Sequence, residues 1–184
     1  MVRFLPLPDF LSPLIAGFAA VVSAPHPAAV PVQDPATDPQ CANVRVAIPP
    51  ELSHWSQRSP LTAGNAPRNA PVLTIGRAAD LRLAPLGEVQ PRIAPAKVPP
   101  PGSYAGLVMF QVVRPGTYRV ALGQKAWIDV IRGRAGIASS AHAMGPRCTG
   151  VAKLVDFPLR PGRYVLQLTG AAAQTLPATI VRVK

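Results

Sequence analysis

RPGTYRV (114–120) and RPGRYVL (160–166) spell nearly the same phrase twice, 46 residues apart. Proline followed by glycine suits the two central positions of a type II turn, since proline presets φ and glycine accepts a positive one. Beyond each expected turn the side chains alternate. Tyr118, Val120 and Leu122 fall on one face, as do Tyr164, Leu166 and Leu168. Thr117, Arg119 and Ala121, or Arg163, Val165 and Gln167, fall on the other. A short apolar run, FQVV or DFPL, precedes each copy. The repeat therefore predicts strand, tight turn and strand, with an inward tyrosine whose hydroxyl finds a partner in the packing. It reads as a structural device rather than a two-fold ligand signature.

The same period-two pattern extends outward. GLVMFQVV (106–113), TYRVALG (117–123), KAWIDVIRG (125–133), KLVDFPL (153–159), RYVLQLTG (163–170) and TIVRVK (179–184) all read as strands. Upstream, CANVRVAIP (41–49) sets Val44, Val46 and Ile48 against Asn43, Arg45 and Ala47, and also reads as a strand. Leu73–Ile75 and Leu81–Leu83 are short strand candidates on either side of GRAAD, and residues 49–71 read as loop with one short turn. A helical reading fails because glycine and proline recur too often among the β-branched residues. Residues 41–184 are expected to form one all-β domain, an antiparallel β-sandwich of jelly-roll type.

The N-terminus carries a different message. MVRFLPLPDFLSPLIAGFAAVVSA (1–24) has an early arginine, an apolar stretch at Phe10–Val22 and small residues after it, the layout of a signal peptide. The apolar stretch is shorter than the roughly 20 residues a spanning helix needs. Residues 25–40 follow as a proline-rich tether without periodicity. No lipid-attachment pattern precedes Cys41. Export to the periplasm or beyond is the expectation, with no transmembrane span once the leader is removed.

The chain holds 24 prolines, 14 glycines and a net charge of +11, with 15 of its 19 cations arginine. That charge favours anionic partners. The arginines are scattered, however, and no base-stacking aromatic cluster or reading motif accompanies them, so nucleic acid is not expected. An envelope protein or a glycan is the expected class of partner. The two cysteines, Cys41 and Cys148, are expected to form one disulfide in an exported chain. It would close a loop of 107 residues and stabilise by about 4 kcal/mol if chain entropy governs.

The paired phrase resembles the pre-peptidase C-terminal type of bacterial β-sandwich, an accessory module found beside secreted enzymes. The chain is more closely similar to a group of small exported proteobacterial proteins. That resemblance rests on GTYRVAL (116–122), AWIDV (126–130), HAMGPRC (142–148) and KLVDFPLRPGRYVLQ (153–167), and covers residues 70–184. It implies a periplasmic sandwich and brings no demonstrated activity. Some chains of this kind carry the label homogentisate 1,2-dioxygenase. Non-haem iron of that sort needs something like two histidines and a carboxylate converging on open positions. This chain has three histidines, His26, His54 and His142, and the first lies in the signal–tether region. No catalytic residue is carried over, and no cofactor is expected.

Three constellations remain. HAMGPRC places His142, Met144 and Cys148 within seven residues, soft donors suited to copper. A copper-binding module using His142 and Met144 is therefore the first alternative, set against a Gly-Pro turn with an exposed histidine and a packed methionine. Trp127 and Asp129 share a face of the strand AWIDV, where the indole could stack on a sugar or pack in a core. Asp129 is expected either beside solvent or against an arginine. Ser139, Ser140, His142 and Asp156 could be drawn as a hydrolytic triad, but no G-x-S-x-G elbow is present. The leading expectation is a non-catalytic binding or accessory module of the cell envelope.

Overall fold

Strands with one apolar face must bury it against another layer, and here two sheets do this for each other. The computed structural model describes residues 39–44 and 46–184, which belong to the compact unit Pro31–Lys184. The expected signal peptide (1–24) and nearly all of the expected tether (25–40) lie outside the described residues. The strands are β1 (Arg58–Thr62), β2 (Ala78–Arg82), β3 (Ala84–Pro85), β4 (Tyr104–Val112), β5 (Gly116–Leu122), β6 (Trp127–Arg132), β7 (Ala135–Ile137), β8 (Ala141–Met144), β9 (Lys153–Leu159), β10 (Gly162–Ala171) and β11 (Thr175–Arg182). Six form one sheet in the order β1-β2-β11-β5-β9-β8, and five form the other in the order β3-β4-β10-β6-β7. All pairings are antiparallel except β1 with β2. The chain is an all-β sandwich. Among the described residues there is no α-helix, and no helix long and apolar enough to cross a membrane.

The two RPG stretches are not the type II turns expected of them. β4 and β5 lie in different sheets, as do β9 and β10, so each RPG carries the chain from one sheet to the other. Gly116 and Gly162 sit at φ 158° and 149°, well away from the φ near +80° of a type II turn, and each opens a strand. The two arches then interlock. β4 of the first pairs with β10 of the second, and β5 of the first with β9 of the second. Their registers match: Gly116 faces Leu159 and Tyr118 faces Phe157, while Gly162 faces Val112 and Tyr164 faces Phe110.

Each tyrosine also closes its own corner. The Tyr118 hydroxyl donates to the Arg114 carbonyl and the Tyr164 hydroxyl to the Arg160 carbonyl, both at 2.8 Å. This is the tyrosine-corner device, a buried ring whose hydroxyl ties down the backbone a few residues upstream. A neighbouring arginine caps each arch: Arg182 of β11 donates to the Pro115 carbonyl, and Arg132 of β6 to the Pro161 carbonyl, each at 3.2 Å. The sequence repeat is thus a pseudo-two-fold repeat in space.

Between the sheets lies the main core, built from alternate residues such as Val108, Phe110, Tyr118, Val120, Leu122, Val130, Phe157, Tyr164, Leu166, Leu168 and Ile180. A second cluster covers the outer face of the six-stranded sheet, where Leu52 and Trp55 pack on Ala78, Ala121, Val151, Leu154 and Val181. On that face Arg119 bonds both Asp156 oxygens, at 2.7 and 2.9 Å, and Glu51 at 2.6 Å.

The disulfide joins Cys41 to Cys148, as expected. The described residues of the strand expected at 41–49 form no strand. Val44 and Val46 are exposed, and Ile48 alone of the alternating set packs, against the second cluster. Alternation makes a strand only where a neighbour offers a ladder, and this stretch has none. Leu73 is buried through a single bridge at Val72–Met109 rather than a strand, and the expected loop 49–71 contains β1. GRAAD bends at Gly76 (φ 82°), but its last three residues already belong to β2.

Candidate functional site

β6 runs beside β10, and its edge partner β7 pairs with it only from Val130 to Arg132. The Trp127–Asp129 part of that edge is left uncovered by strand. Across from it, in the other sheet, stands the edge pair β8–β9. A cleft of about 440 Å³ opens here between the sheets, lined by Lys97, Trp127, Ile128, Asp129, Ile137, Ser139, His142, Lys153, Val155 and Phe157. Its floor is apolar, because Ile128, Val155 and Phe157 are inward residues of the core. Its rim is polar and cationic.

Three of the residues singled out in the sequence, Trp127, Asp129 and His142, meet in this cleft. His142 is opposite Val155 in the β8–β9 ladder, so it projects from the cleft side of the sheet. Asp156 projects from the other side, paired with Ala141 and bound to Arg119. The drawn Ser-His-Asp arrangement therefore does not converge.

Asp129 is half-buried beside Trp127 and bonds no arginine among the described residues. Its two oxygens accept bonds from the Trp127 indole Nε1 at 3.0 Å and the Gln167 amide at 3.1 Å. Gln167 is fully buried, because the segment after β3 crosses the outer face of β10. Its carbonyl accepts the Arg92 N–H at 2.6 Å, and its amide donates to the Ile93 carbonyl at 3.0 Å. Burial pushes the Asp129 carboxyl above its usual range, against the lowering effect of the Trp127 and Gln167 bonds. The network fixes the indole by its N–H and leaves its ring half-buried at the cleft.

Two lysines flank that ring. Lys97 Nζ lies 5.2 Å from the indole ring centroid and Lys153 Nζ 5.5 Å, both within cation–π range. Lys153 also donates to the Ala126 carbonyl at 2.7 Å. Its pKa is lowered, first by burial and then by the charge of Lys97.

A smaller pocket of about 220 Å³ adjoins the cleft through Lys97 and Trp127, and Lys125 and Thr169 help to line it. The Thr169 hydroxyl is buried with no hydrogen-bond partner among the described residues.

The chain matches no protein-family model and no curated protein.

HAMGPRC divides between features. His142 and Met144 project from the same side of β8, two residues apart, and both are exposed. Cys148 is committed to the disulfide and supplies no thiolate. Met144 and Cys148 line a separate, mostly apolar pocket of about 500 Å³ with Pro146 and Val151. Among the described residues no three His, Cys, Asp or Glu side chains are grouped to hold a metal ion, and His26 lies outside them.

Sequence reasoning missed Lys97 and Lys153 as site residues. For Lys97 no signal existed, since it belongs to an unpatterned loop. For Lys153 there was one: it alternates with Val155 and Phe157, which places an ammonium on the buried face of β9.

Proposed function

We propose that this protein is an exported, non-catalytic β-sandwich that acts as a binding or accessory module in the cell envelope, with its ligand held in the cleft at Trp127. The observation that carries the reading is the cleft itself. It is a lateral opening of the sandwich with an apolar floor, and a hydrogen-bonded, half-buried indole stands at its rim. Small-ligand sites typically combine concave apolar walls with a few fixed polar groups in this way. The Cys41–Cys148 disulfide supports an oxidising compartment, and the leader-like residues 1–24 support a periplasmic or secreted destination.

The test has two arms. Fractionation of native cells should place the protein outside the cytoplasm, with residues 1–24 removed. Calorimetric titration of the purified protein with fractionated periplasmic and envelope extract should then give saturable binding that Trp127→Ala removes. A cytoplasmic protein with an intact Met1 would overturn the first half. Binding that survives Trp127→Ala would overturn the second.

The copper reading has one specific observation in its favour, the exposed His142 and Met144 on one side of an edge strand. Equilibrium dialysis with Cu(I) and Cu(II) tests it. Equal binding, or none, by the wild type and the His142→Ala/Met144→Ala variant ends it.

A further inference from the structure

Two ammonium groups of the cleft share one indole as their aromatic partner. Lys97 and Lys153 approach the same indole, yet neither forms an ion pair among the described residues. Lys153 uses one of its three N–H donors, on the Ala126 carbonyl, and Lys97 has no hydrogen-bond acceptor among the described residues. The carboxylate nearest in sequence to the indole does not serve them. Asp129 accepts instead from the Trp127 N–H and the Gln167 amide, so two donors already face its oxygens.

Two like charges held beside one ring repel each other, and the repulsion is relieved by an anion between them. Burial first, and the charge of Lys97 second, lower the proton affinity of Lys153. Close by is the Thr169 hydroxyl, 1% exposed and without a hydrogen-bond partner among the described residues, lining the pocket that continues the cleft past Trp127. Below the cations the surface changes character: Ile128, Ile137, Val155 and Phe157 present hydrocarbon to the same space.

We propose that the cleft takes an organic carboxylate with an apolar body. Lys97 and Lys153 hold the anionic group beside Trp127, and Ile128, Ile137, Val155 and Phe157 receive the body. The proposal rests on the reading of this cleft as the ligand site and names the chemistry it selects. The net charge of +11 adds a long-range bias in the same direction, which draws anions towards the protein without choosing among them. The selection comes from the combination: a bare inorganic anion leaves the apolar floor wet, and a neutral apolar ligand leaves both ammonium groups without a counter-charge. His142, at the opposite wall, offers a further polar contact to a ligand long enough to cross the cleft.

The experiment compares matched acid and amide pairs on the intact protein. Benzoate is set against benzamide and cyclohexanecarboxylate against its amide, with glucuronate and sulfate as polar anions. Binding is followed by calorimetry and by Trp127 fluorescence. The expected result is that each apolar carboxylate binds at least about tenfold tighter than its amide, the lower end of what a charge-assisted bond contributes. Lys97→Gln and Lys153→Gln should each remove most of that preference, so that acid and amide bind nearly alike. Lys184→Gln should leave it intact.

Equal binding of acids and amides would overturn the proposal while leaving the cleft as a ligand site. Tighter binding of glucuronate or sulfate than of benzoate would overturn the apolar half of it. Failure of every probe, with envelope-extract binding still dependent on Trp127, would also overturn it and leave the broader reading standing. Should Lys153→Gln prove unstable, Lys97→Gln carries the test, because Lys97 is exposed on a loop.

Discussion

Removing the disulfide with Cys41→Ala/Cys148→Ala should destabilise the protein by much less than its loop length implies. The bridge spans 107 residues. Closing a loop of that size in an unfolded chain is worth about 4.7 kcal/mol on the chain-entropy account, a little above the rounder figure of about 4 kcal/mol expected from the sequence. That figure assumes the native state gains nothing when the bridge is cut, and here it does. The described residues between Cys41 and Ala47 are mostly exposed, and their backbone bonds are local, from the Ala42 N–H to Pro39 and the Val44 N–H to Cys41. The nearest firm anchors are Leu52 and Val151, both in the second core cluster. Without the bridge, the chain before Leu52 is released in the folded protein too. The effective comparison is then between a loop of 107 residues in the unfolded chain and a path of roughly 14 residues through the bridge from Leu52 to Val151. The logarithmic dependence on length leaves about 2 kcal/mol. Urea denaturation followed by tryptophan fluorescence measures this directly, since Trp55 is buried beside Leu52. The corresponding fall in melting temperature is about 4–8 °C. A loss near 5 kcal/mol would refute the reasoning and show that the stretch after Cys41 is integral to the fold. No loss at all would refute the loop-entropy argument itself.

Other perturbations separate features that look alike in sequence. Gly116→Ala should destabilise far more than Gly162→Ala, because a methyl group at 116 meets the Lys184 carbonyl oxygen at 2.1 Å, while one at 162 meets the movable Arg132 guanidinium at 3.1 Å; thermal melts of the two variants decide it. Tyr118→Phe and Tyr164→Phe should each cost about 1–2 kcal/mol, with Tyr164 the larger because its hydroxyl also accepts the Arg160 N–H; equal, negligible losses would show that the corners are not held by these bonds. The alkaline limb of the stability profile should carry the mark of Lys153. Its folded pKa lies below the ordinary lysine value, so the unfolded chain binds the proton better. Stability then rises as pH climbs from that lowered value to the ordinary one. Lys153→Met should abolish the rise in denaturation curves taken at successive alkaline pH values. Asp129, raised by burial, has the opposite sign: it withdraws stability as pH rises through the carboxylate range.

The alternation that marks strands is a local signal, and it placed four of the central strands well, while β11 and β2, also flanked on both sides, begin four and three residues before the stretches 179–184 and Leu81–Leu83 expected for them. KLVDFPL coincides with β9, and GLVMFQVV, TYRVALG and RYVLQLTG lie within a residue or two of β4, β5 and β10. Strands at the margins carry less of it. β8 is AHAM, four exposed residues without apolar alternation, and it exists because β9 offers an open edge. Residues 41–49 show the converse, good alternation with nothing to pair against. The RPG stretches illustrate a different gap. Their composition announces a sharp change of direction, but whether the chain turns back within a sheet or crosses to the facing one depends on the partners of both flanking strands. Those partners lie about 50 residues away. The cleft was legible only in pieces for the same reason. Trp127, Asp129 and His142 each drew notice, while their meeting is set by the stacking of β6 over the β8–β9 edge, and Lys97 arrives on a loop.

The interlocked arches also impose an order of events on a chain made from one end. β4 and β5 are complete by Leu122, yet β10, which runs between β4 and β6, is not synthesised until Ala171, and β11, which runs between β5 and β2, not until Arg182. Until Ala171 neither sheet has a centre, and two apolar strands wait with open edges. A fragment that stops short of β9 is therefore not half of this protein but an unfinished seam. Truncations from the C-terminal side should yield aggregates rather than a smaller domain, and any partner that guards the nascent chain has about 50 residues' worth of synthesis during which it is needed.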